Sequence, residues 1–334
     1  MVQQAQDRCR GTHYLSFPAV VPADGSRGAD RHPIATDPGA RAPGVRAQVA
    51  GSGHHPRRPG GRPVSDQPAP TDQPDQPVLL DLTDGVATVT INRPDAMNAV
   101  DTAVKEGLLQ TLQQVAEDPL ARAVVLTGAG DRAFCVGQDL KEHIRLLDEP
   151  DPWATVTDHY NPIVTLLAGM DKPVIARING ACAGAGAAFA MACDLRIMAE
   201  GAAVTFAFSG IGLSCDSGTS WHLPRLVGPA RATELLMLGA KLSATEALEM
   251  GLVGTVVPAA ELDQAVDALA QRLAQGPTLA FAGIKSSLRT AQGTDLAGAL
   301  AFEATQMKRT GSSRDHRGAV QAFLAKEQPV FTGE

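Results

Sequence analysis

Apolar residues follow two different periods along the chain from Val78 onward. They alternate with polar residues in VLLDL and VATVTI, and the intervening Asp84-Gly85 pair is typical of a tight turn, so this segment predicts a β-hairpin. After Asp101 they recur every three or four residues, which predicts a capped helix to about Glu117 with one buried stripe: Val104, Leu108, Leu112 and Val115. The apolar run AVVLTG then predicts a buried strand.

The same alternation of strand and helix signals continues toward the C terminus. Strands are predicted over residues 173–178 and 195–198, and helices over residues 158–170, 184–192, 230–238, 244–250, 261–275 and 279–289. Strands that alternate with helices favour a sheet built from βα units. The sequence therefore predicts an α/β protein whose C-terminal part is helical.

The first 77 residues have a different composition. They hold more than half of the 23 prolines of the chain, and they contain arginine but no lysine. They show no sustained apolar periodicity, so they lack the residues from which a core is built. We expect a disordered extension without an assigned function. One hypothesis is that translation begins inside it, near Val64.

Charge and cysteine content restrict the class of protein. The chain of 334 residues has a formal net charge of −7 and no basic run, which argues against a nucleic-acid partner. No apolar run reaches the length of about 18 residues that a membrane span needs. Its five cysteines lack the spacing of a metal site, and we expect them to be reduced thiols. These features favour a cytoplasmic protein without metal.

Two glycine-containing turns carry the candidate chemistry. The segment VIARINGACAGAGAAFAMACD combines a strand, a broken turn and a helix that begins on small residues, and AFCVGQDL forms a second turn after an apolar run. Glycine keeps side chains away from such turns, so their backbone N–H groups are accessible at the positive end of a helix. Two such amides that converge on one oxygen would form an oxyanion hole.

Together with INRPDAMNAV and the tail FLAKEQPVFTGE, these two segments resemble the crotonase (enoyl-CoA hydratase/isomerase) superfamily over residues 78–334. The resemblance implies the crotonase (ClpP-like) fold, a spiral of ββα units over residues 78–260, followed by a helical trimerisation region over residues 261–334. It assigns the two amides that bind the thioester oxygen to Gln138 and Ala185. Ala185 stands where the family usually has glycine.

The resemblance also assigns the acid–base chemistry. The two glutamates of the hydratases match Ala188 and Phe208, and neither side chain can transfer a proton, which argues against efficient water addition. Asp216, in GLSCDSGTSWHLPRLVG, matches the catalytic aspartate of members that isomerise double bonds or attack aromatic thioesters. Spacing alone leaves a second interpretation, in which Asp216 caps the helix that follows.

An acyl-CoA thioester is the substrate that the resemblance implies, so cations are expected near its phosphates. Arg93 is one candidate for a CoA contact. Phe323 and Lys326 match C-terminal residues that reach the nucleotide, often from a neighbouring subunit. Coenzyme A is part of the substrate, and no separate cofactor is expected. The expected assembly is a homotrimer or a dimer of trimers.

The motifs are therefore most similar to those of acyl-CoA isomerases, and within the family to isomerases that act on an epoxidised aromatic thioester in phenylacetate breakdown. Conversion of 3-enoyl-CoA to 2-enoyl-CoA is a second isomerase reaction to consider. A hydratase of fatty-acid degradation and a non-catalytic acyl-CoA-binding homologue remain alternatives. The aromatic residues before residue 162 either cover the acyl pocket or belong to an ordinary amphipathic helix: Trp153, His159 and Tyr160.

Overall fold

The computed structural model describes residues 76–334. The extension predicted over residues 1–77 lies outside this range, apart from its last two residues. No helix in the described part of the chain combines the length and the hydropathy that crossing a membrane requires.

Ten strands form two sheets in the part of the chain that the structure describes. Their bounds are β1 Val78–Thr83, β2 Val86–Ile91, β3 Ala123–Gly128, β4 Ala133–Cys135, β5 Val174–Ile178, β6 Ala181–Ala183, β7 Leu195–Ala199, β8 Ala203–Thr205, β9 Lys241–Ser243 and β10 Thr255–Val257. The larger sheet has the order β1-β2-β3-β5-β7-β10, and the smaller one has the order β4-β6-β8-β9.

Helices separate and follow these strands. Their bounds are α1 Thr102–Glu117, α2 Leu140–Leu146, α3 Asn161–Gly169, α4 Ala185–Ala192, α5 Thr219–Val227, α6 Pro229–Leu238, α7 Ala244–Glu249, α8 Leu262–Ala274, α9 Thr278–Ala291, α10 Leu296–Gly311 and α11 Arg314–Ala325. As predicted, Asp101 caps α1 through a hydrogen bond from the Val104 amide, and the predicted apolar stripe of this helix is buried.

The chain winds in a repeating order. Strands β3, β5 and β7 of the larger sheet are each followed by a strand of the smaller sheet, β4, β6 and β8, and then by a helix. Pairing is parallel within β2-β3-β5-β7-β10 and within β4-β6-β8, whereas the predicted β1-β2 hairpin is antiparallel. This is the spiral of ββα units expected for the fold class, and that prediction is confirmed.

Apolar side chains between the sheets and helices form one core. All six residues of β3 are buried, and α8 packs against β3, β5 and β7 with four buried residues: Leu262, Val266, Ala270 and Ala274. Burial of such side chains contributes roughly 25 cal/mol per Å² of apolar area. In contrast, α10 buries none of its residues and leaves Leu296 and Met307 exposed. The helical tail thus presents apolar surface.

Two local expectations differ from the structure. The helix predicted over residues 158–170 is divided into a π-helical turn, Val156–Tyr160, and α3. Pro162 lies in the first turn of α3, where its missing N–H is tolerated. Helix α2 was not predicted, because its seven residues are too short for a clear apolar period.

Candidate active site

The carboxyl ends of three neighbouring strands meet at one small pocket. Strand β4 leads to Gln138, β6 leads to Ala185 and β8 leads to Phe208, and the three strands pair in parallel. The pocket has a volume of about 110 Å³. Asp216 and Tyr160 also line it. The tertiary structure therefore brings Gln138, Ala185 and Asp216, three residues predicted from sequence, to the same cavity.

Close backbone approach fixes the start of α4 in this pocket. A β-carbon on Gly186 would lie 2.1 Å from the carbonyl oxygen of Cys135, at the end of β4. No side chain fits at that distance, so glycine at 186 is required for the helix to approach β4. The first turn of α4 is thereby held beside the turn that follows β4.

The amide of Ala185 begins α4. The positive φ of this turn, 52°, falls on Gly184 and not on Ala185. Alanine in the place of the family's usual glycine is therefore compatible with the backbone, because it adopts helical angles. Among the residues that the structure describes, no acceptor pairs with the Ala185 N–H, as expected for the first residue of a helix.

The amide of Gln138 is held from both sides by Val100. The Val100 N–H donates to the Gly137 carbonyl at 2.8 Å, and the Asp139 N–H donates to the Val100 carbonyl at 3.0 Å. Within the described range, the Gln138 N–H itself donates to no protein acceptor. Two unpaired amides that border one cavity are the donors an oxyanion hole requires.

Among the described residues that line the pocket, Asp216 is the one with a carboxylate side chain. Burial raises its pKa above the ordinary aspartate value, and hydrogen bonds from the Ser217 hydroxyl and its own amide offset part of this effect. The Ser217 Oγ donates to Asp216 Oδ1 at 2.8 Å. A carboxylate with a raised pKa is a stronger base than one in water.

The Asp216 side chain does not cap helix α5, so the alternative interpretation from the sequence is wrong. Helix α5 begins at Thr219, its cap position is Gly218, and no side chain accepts a hydrogen bond there. The intervening Ser217 has φ of 52°, a conformation that costs roughly 1–3 kcal/mol for a residue with a side chain. Asp216 therefore lies in a strained loop before the helix: its backbone carbonyl accepts from the Thr219 N–H at 2.9 Å, but its carboxylate does not cap the first turn.

The positions matched to the two hydratase glutamates are apolar in space as well as in sequence. Ala188 is fully buried within α4, and Phe208 is buried and lines the pocket. Neither offers a second group for proton transfer.

Arg93 lies near the site but is already engaged. Its Nη1 donates to the Ala99 carbonyl at 2.8 Å and contacts carboxylate oxygens of Asp101 at 3.2 Å and Asp139 at 3.0 Å. Asp139 in turn caps α2 by accepting from the amides of its first turn. Asp139 therefore orders the loop, and Arg93 supports it. The contact of Arg93 with coenzyme A stays a prediction.

The two C-terminal candidates, Phe323 and Lys326, are not among the residues that line the pocket. Phe323 is 82% exposed near the end of α11, and Lys326 follows this helix in a left-handed conformation. Neither residue lines the pocket in this protomer. Their predicted contact with coenzyme A from a neighbouring subunit stays a prediction.

Sequence reasoning missed a buried polar cluster behind Gln138. Lys105 on α1 is fully buried, and its Nζ lies 3.0 Å from Glu142 Oε2 on α2. The side-chain amide of Gln138 and the Tyr160 hydroxyl also belong to this cluster. The sequence contained one signal of this cluster. Lys105 follows Val104 on the apolar side of a predicted helix, where a lysine is unusual.

Cysteine and histidine side chains near the site are poor candidates for chemistry. Burial raises the pKa of Cys135 to about 12, so it is a thiol at neutral pH. Burial and the nearby Arg196 and Arg225 lower the pKa of His222 to about 4. No cluster of histidine, cysteine and carboxylate side chains in residues 76–334 has the arrangement of a metal site.

A larger cavity, of about 910 Å³, lies between α3, α5 and α9, where His222 is found. Lys285, a partly buried lysine in its lining, donates to the carbonyls of Leu167 and Lys172 and to Asp194. These contacts tie α9 to the core and leave that ammonium no proton for a ligand. The backbone amides of Gln138 and Ala185 and the carboxylate of Asp216 border the smaller pocket and not this larger cavity.

The sequence model of the enoyl-CoA hydratase/isomerase family matches residues 81–334 of the chain. The chain is 41% identical to 1,2-epoxyphenylacetyl-CoA isomerase of Escherichia coli over 77% of its own length and 98% of the relative's length. It is 32% identical to the short-chain-enoyl-CoA hydratase of Clostridium acetobutylicum, over 75% and 95% of the two chains. Among solved structures, enoyl-CoA hydratase from Bacillus anthracis has a TM-score of 0.74 at 33% identity, over 78% and 100% of the chains.

Proposed function

Because the chain belongs to the enoyl-CoA hydratase/isomerase family, we propose that it is an acyl-CoA isomerase with Asp216 as its acid–base residue. The observation that carries this proposal is the composition of the small pocket. The pocket joins one carboxylate to two amides that have no acceptor within residues 76–334, and it has an apolar side chain, Phe208, where a second carboxylate would be needed for hydration.

In the proposed mechanism the amides of Gln138 and Ala185 bind the thioester oxygen. Removal of a proton from C2 transfers negative charge to this oxygen, and each amide stabilises the resulting enolate by roughly 3 kcal/mol. For a 3-enoyl-CoA, Asp216 takes the proton from C2 and returns it to C4, which yields the conjugated 2-enoyl-CoA. One carboxylate is sufficient for this transfer, since the proton returns to the same molecule.

The favoured substrate is 2-(1,2-epoxy-1,2-dihydrophenyl)acetyl-CoA, whose ring expansion gives an oxepin. Identity of 41% with the 1,2-epoxyphenylacetyl-CoA isomerase supports this choice. Aliphatic and aromatic side chains around the proposed acyl site, including Leu140, Phe208 and Leu213, provide an apolar environment for a ring. This substrate would connect the protein to phenylacetate catabolism.

Two alternatives follow from specific observations. A hydratase of fatty-acid degradation is supported by the similarity to a short-chain-enoyl-CoA hydratase. A non-catalytic acyl-CoA-binding homologue is supported by the apolar residues at positions 188 and 208.

The remaining features of the proposal concern binding and assembly. Arg93, Phe323 and Lys326 are proposed contacts for coenzyme A, which enters as part of the substrate. We propose a homotrimer or a dimer of trimers in the cytoplasm. In this assembly, Phe323 and Lys326 contact coenzyme A across a subunit interface.

Side-by-side assays of three substrates test the proposal: a 3-enoyl-CoA, epoxyphenylacetyl-CoA and a 2-enoyl-CoA. The expected result is isomerisation of one or both of the first two, with little water addition to the third. Efficient hydration of the 2-enoyl-CoA would instead support the hydratase. Binding of all three without turnover would support the non-catalytic homologue.

A further inference from the structure

A buried ammonium group lies directly behind the Gln138 turn. Lys105 is 0% exposed. Its Nζ donates to Gln138 Oε1 at 3.3 Å, to Glu142 Oε2 at 3.0 Å and to Thr155 Oγ1 at 3.0 Å. Each of the three ammonium protons therefore has an acceptor. Together with Tyr160, these four residues form what we call the Lys105 cluster.

The cluster holds both polar atoms of the terminal amide of Gln138, Oε1 and Nε2. Gln138 Oε1 accepts from the Tyr160 hydroxyl as well as from Lys105, and Gln138 Nε2 donates to Glu142 Oε2 at 2.9 Å. Burial raises the pKa of Tyr160 well above its ordinary value, so its hydroxyl keeps the proton that it donates. A satisfied buried network is rigid, so fixing the terminal amide of Gln138 limits its side-chain rotamers, and hence the movement of its Cα and the direction of the adjacent N–H.

Stability alone is a weak reason for a charge at this place. A fully buried ion pair loses its hydration, and apolar side chains of similar volume often stabilise a fold equally well. The neighbours of Lys105 on α1, Val104 and Leu108, are buried apolar residues. Glu142 is also restrained, because it accepts from the Thr102 amide at 2.7 Å at the start of α1. The ion pair thus connects the beginnings of α1 and α2 on either side of the Gln138 turn.

We propose that Lys105 is a positioning residue for the oxyanion hole. It holds the Gln138 side chain and thereby aims the Gln138 amide at the thioester oxygen, without touching the substrate. This inference rests on the proposed function, because it assigns the oxygen-binding role to that amide.

Vibrational spectroscopy of a bound, unreactive ligand tests the inference. The probe is butyryl-CoA with an isotopic label in the thioester carbonyl, whose stretching band moves to lower frequency when amides donate to the oxygen. We expect this displacement in the wild-type protein and the loss of at least half of it in Lys105→Met. With substrate, kcat should fall about 10-fold or more while KM changes little. This loss is smaller than the roughly 10²–10³-fold loss in kcat that follows removal of a whole oxyanion-hole donor, because the Gln138 N–H is misdirected but still present.

Two further variants keep the test decisive if Lys105→Met does not fold. The double variant K105M/E142Q leaves no unpaired buried charge, and Tyr160→Phe removes one donor to Gln138 but keeps the ring that packs on Phe189. Both should reduce the band displacement. Lys172→Met is the matched control, because Lys172 is also buried but donates to the carbonyls of Val115 and Asp118. It should lower Tm and leave the band unchanged.

The possible failures are distinguishable. A full band displacement in Lys105→Met, K105M/E142Q and Tyr160→Phe would overturn the positioning role and leave the oxyanion hole standing. Absence of any displacement in the wild-type protein would overturn the oxyanion hole, and with it both the proposed function and this inference. An equal loss in Lys172→Met would reduce the effect to general destabilisation and would also overturn the positioning role.

Discussion

Gly137 lies against the amide of Ala185, so closely that a β-carbon on Gly137 would be 3.1 Å from the Ala185 nitrogen. Gly137 also has φ of 88°. The two turns that present the candidate amides are therefore in direct contact, and glycine is what allows it.

Replacement of this glycine should impair turnover more than it impairs folding. Gly137→Ala must push the two turns apart, so we expect kcat for isomerisation to fall by roughly 10- to 100-fold. Gly228→Ala is the control: φ is 82° there, but a β-carbon would meet nothing within 4 Å. Both variants carry the conformational cost of a positive φ, roughly 1–3 kcal/mol. Equal activity of the two variants would contradict the importance of the contact.

Asp216→Asn separates proton transfer from binding. Asparagine keeps the shape of aspartate but is not a base, so isomerisation should fall by about 100-fold or more with little change in acyl-CoA affinity. Steady-state kinetics and a binding titration measure the two effects. Asp295→Asn, at the cap of exposed helix α10, is the control and should be nearly silent, because both residues cap helices well. Near-normal turnover of Asp216→Asn would refute the mechanism.

The same substitution should stabilise the protein at neutral pH. Burial raises the pKa of Asp216 in the folded state, so the folded protein holds this proton more tightly than the unfolded chain does. The stabilisation linked to it is present below the unfolded pKa of about 4 and is lost as the pH rises through the folded value. Asp216→Asn should therefore have a higher Tm than wild type at pH 7, and the difference should shrink toward low pH. A lower Tm at pH 7 would contradict this linkage.

Ser217→Ala should move the pH dependence of isomerisation. The Ser217 hydroxyl stabilises the charged form of Asp216, and its removal raises the pKa of that carboxyl further. Because the base must be ionised, activity is lost as the pH falls through this pKa. The acidic limb of the kcat/KM profile should shift to higher pH in Ser217→Ala. Identical profiles would show that the limb reports another group.

Light scattering tests the predicted assembly. Helices α10 and α11 leave large apolar side chains uncovered in the isolated protomer: Leu296, Met307, Phe323 and Leu324. Exposed apolar area of this kind is typical of a subunit interface. The mass in solution should be a threefold multiple of the protomer mass, and Phe323→Ser should weaken acyl-CoA binding. A stable monomer with full affinity would refute the trimer and the contact across subunits.

Local signals in the sequence determined much of the framework. The β1-β2 hairpin and the Asp101 cap of α1 follow from turn chemistry, capping and apolar period, each of which acts over a few residues. The two glycine turns were visible for the same reason. Family motifs added the spiral fold and pointed to Gln138, Ala185 and Asp216 before any of them could be placed in space.

Contacts between distant segments were decided only by the tertiary structure. The meeting of Gln138 and Ala185 depends on the parallel pairing of β4 with β6, and the burial of Lys105 depends on Glu142, 37 residues further along the chain. Spacing alone favoured capping for Asp216, and only the start of α5 at Thr219 excluded that role for its side chain. Propensity and periodicity describe a segment's own backbone and its buried face, whereas the register between strands and helices decides which polar groups meet.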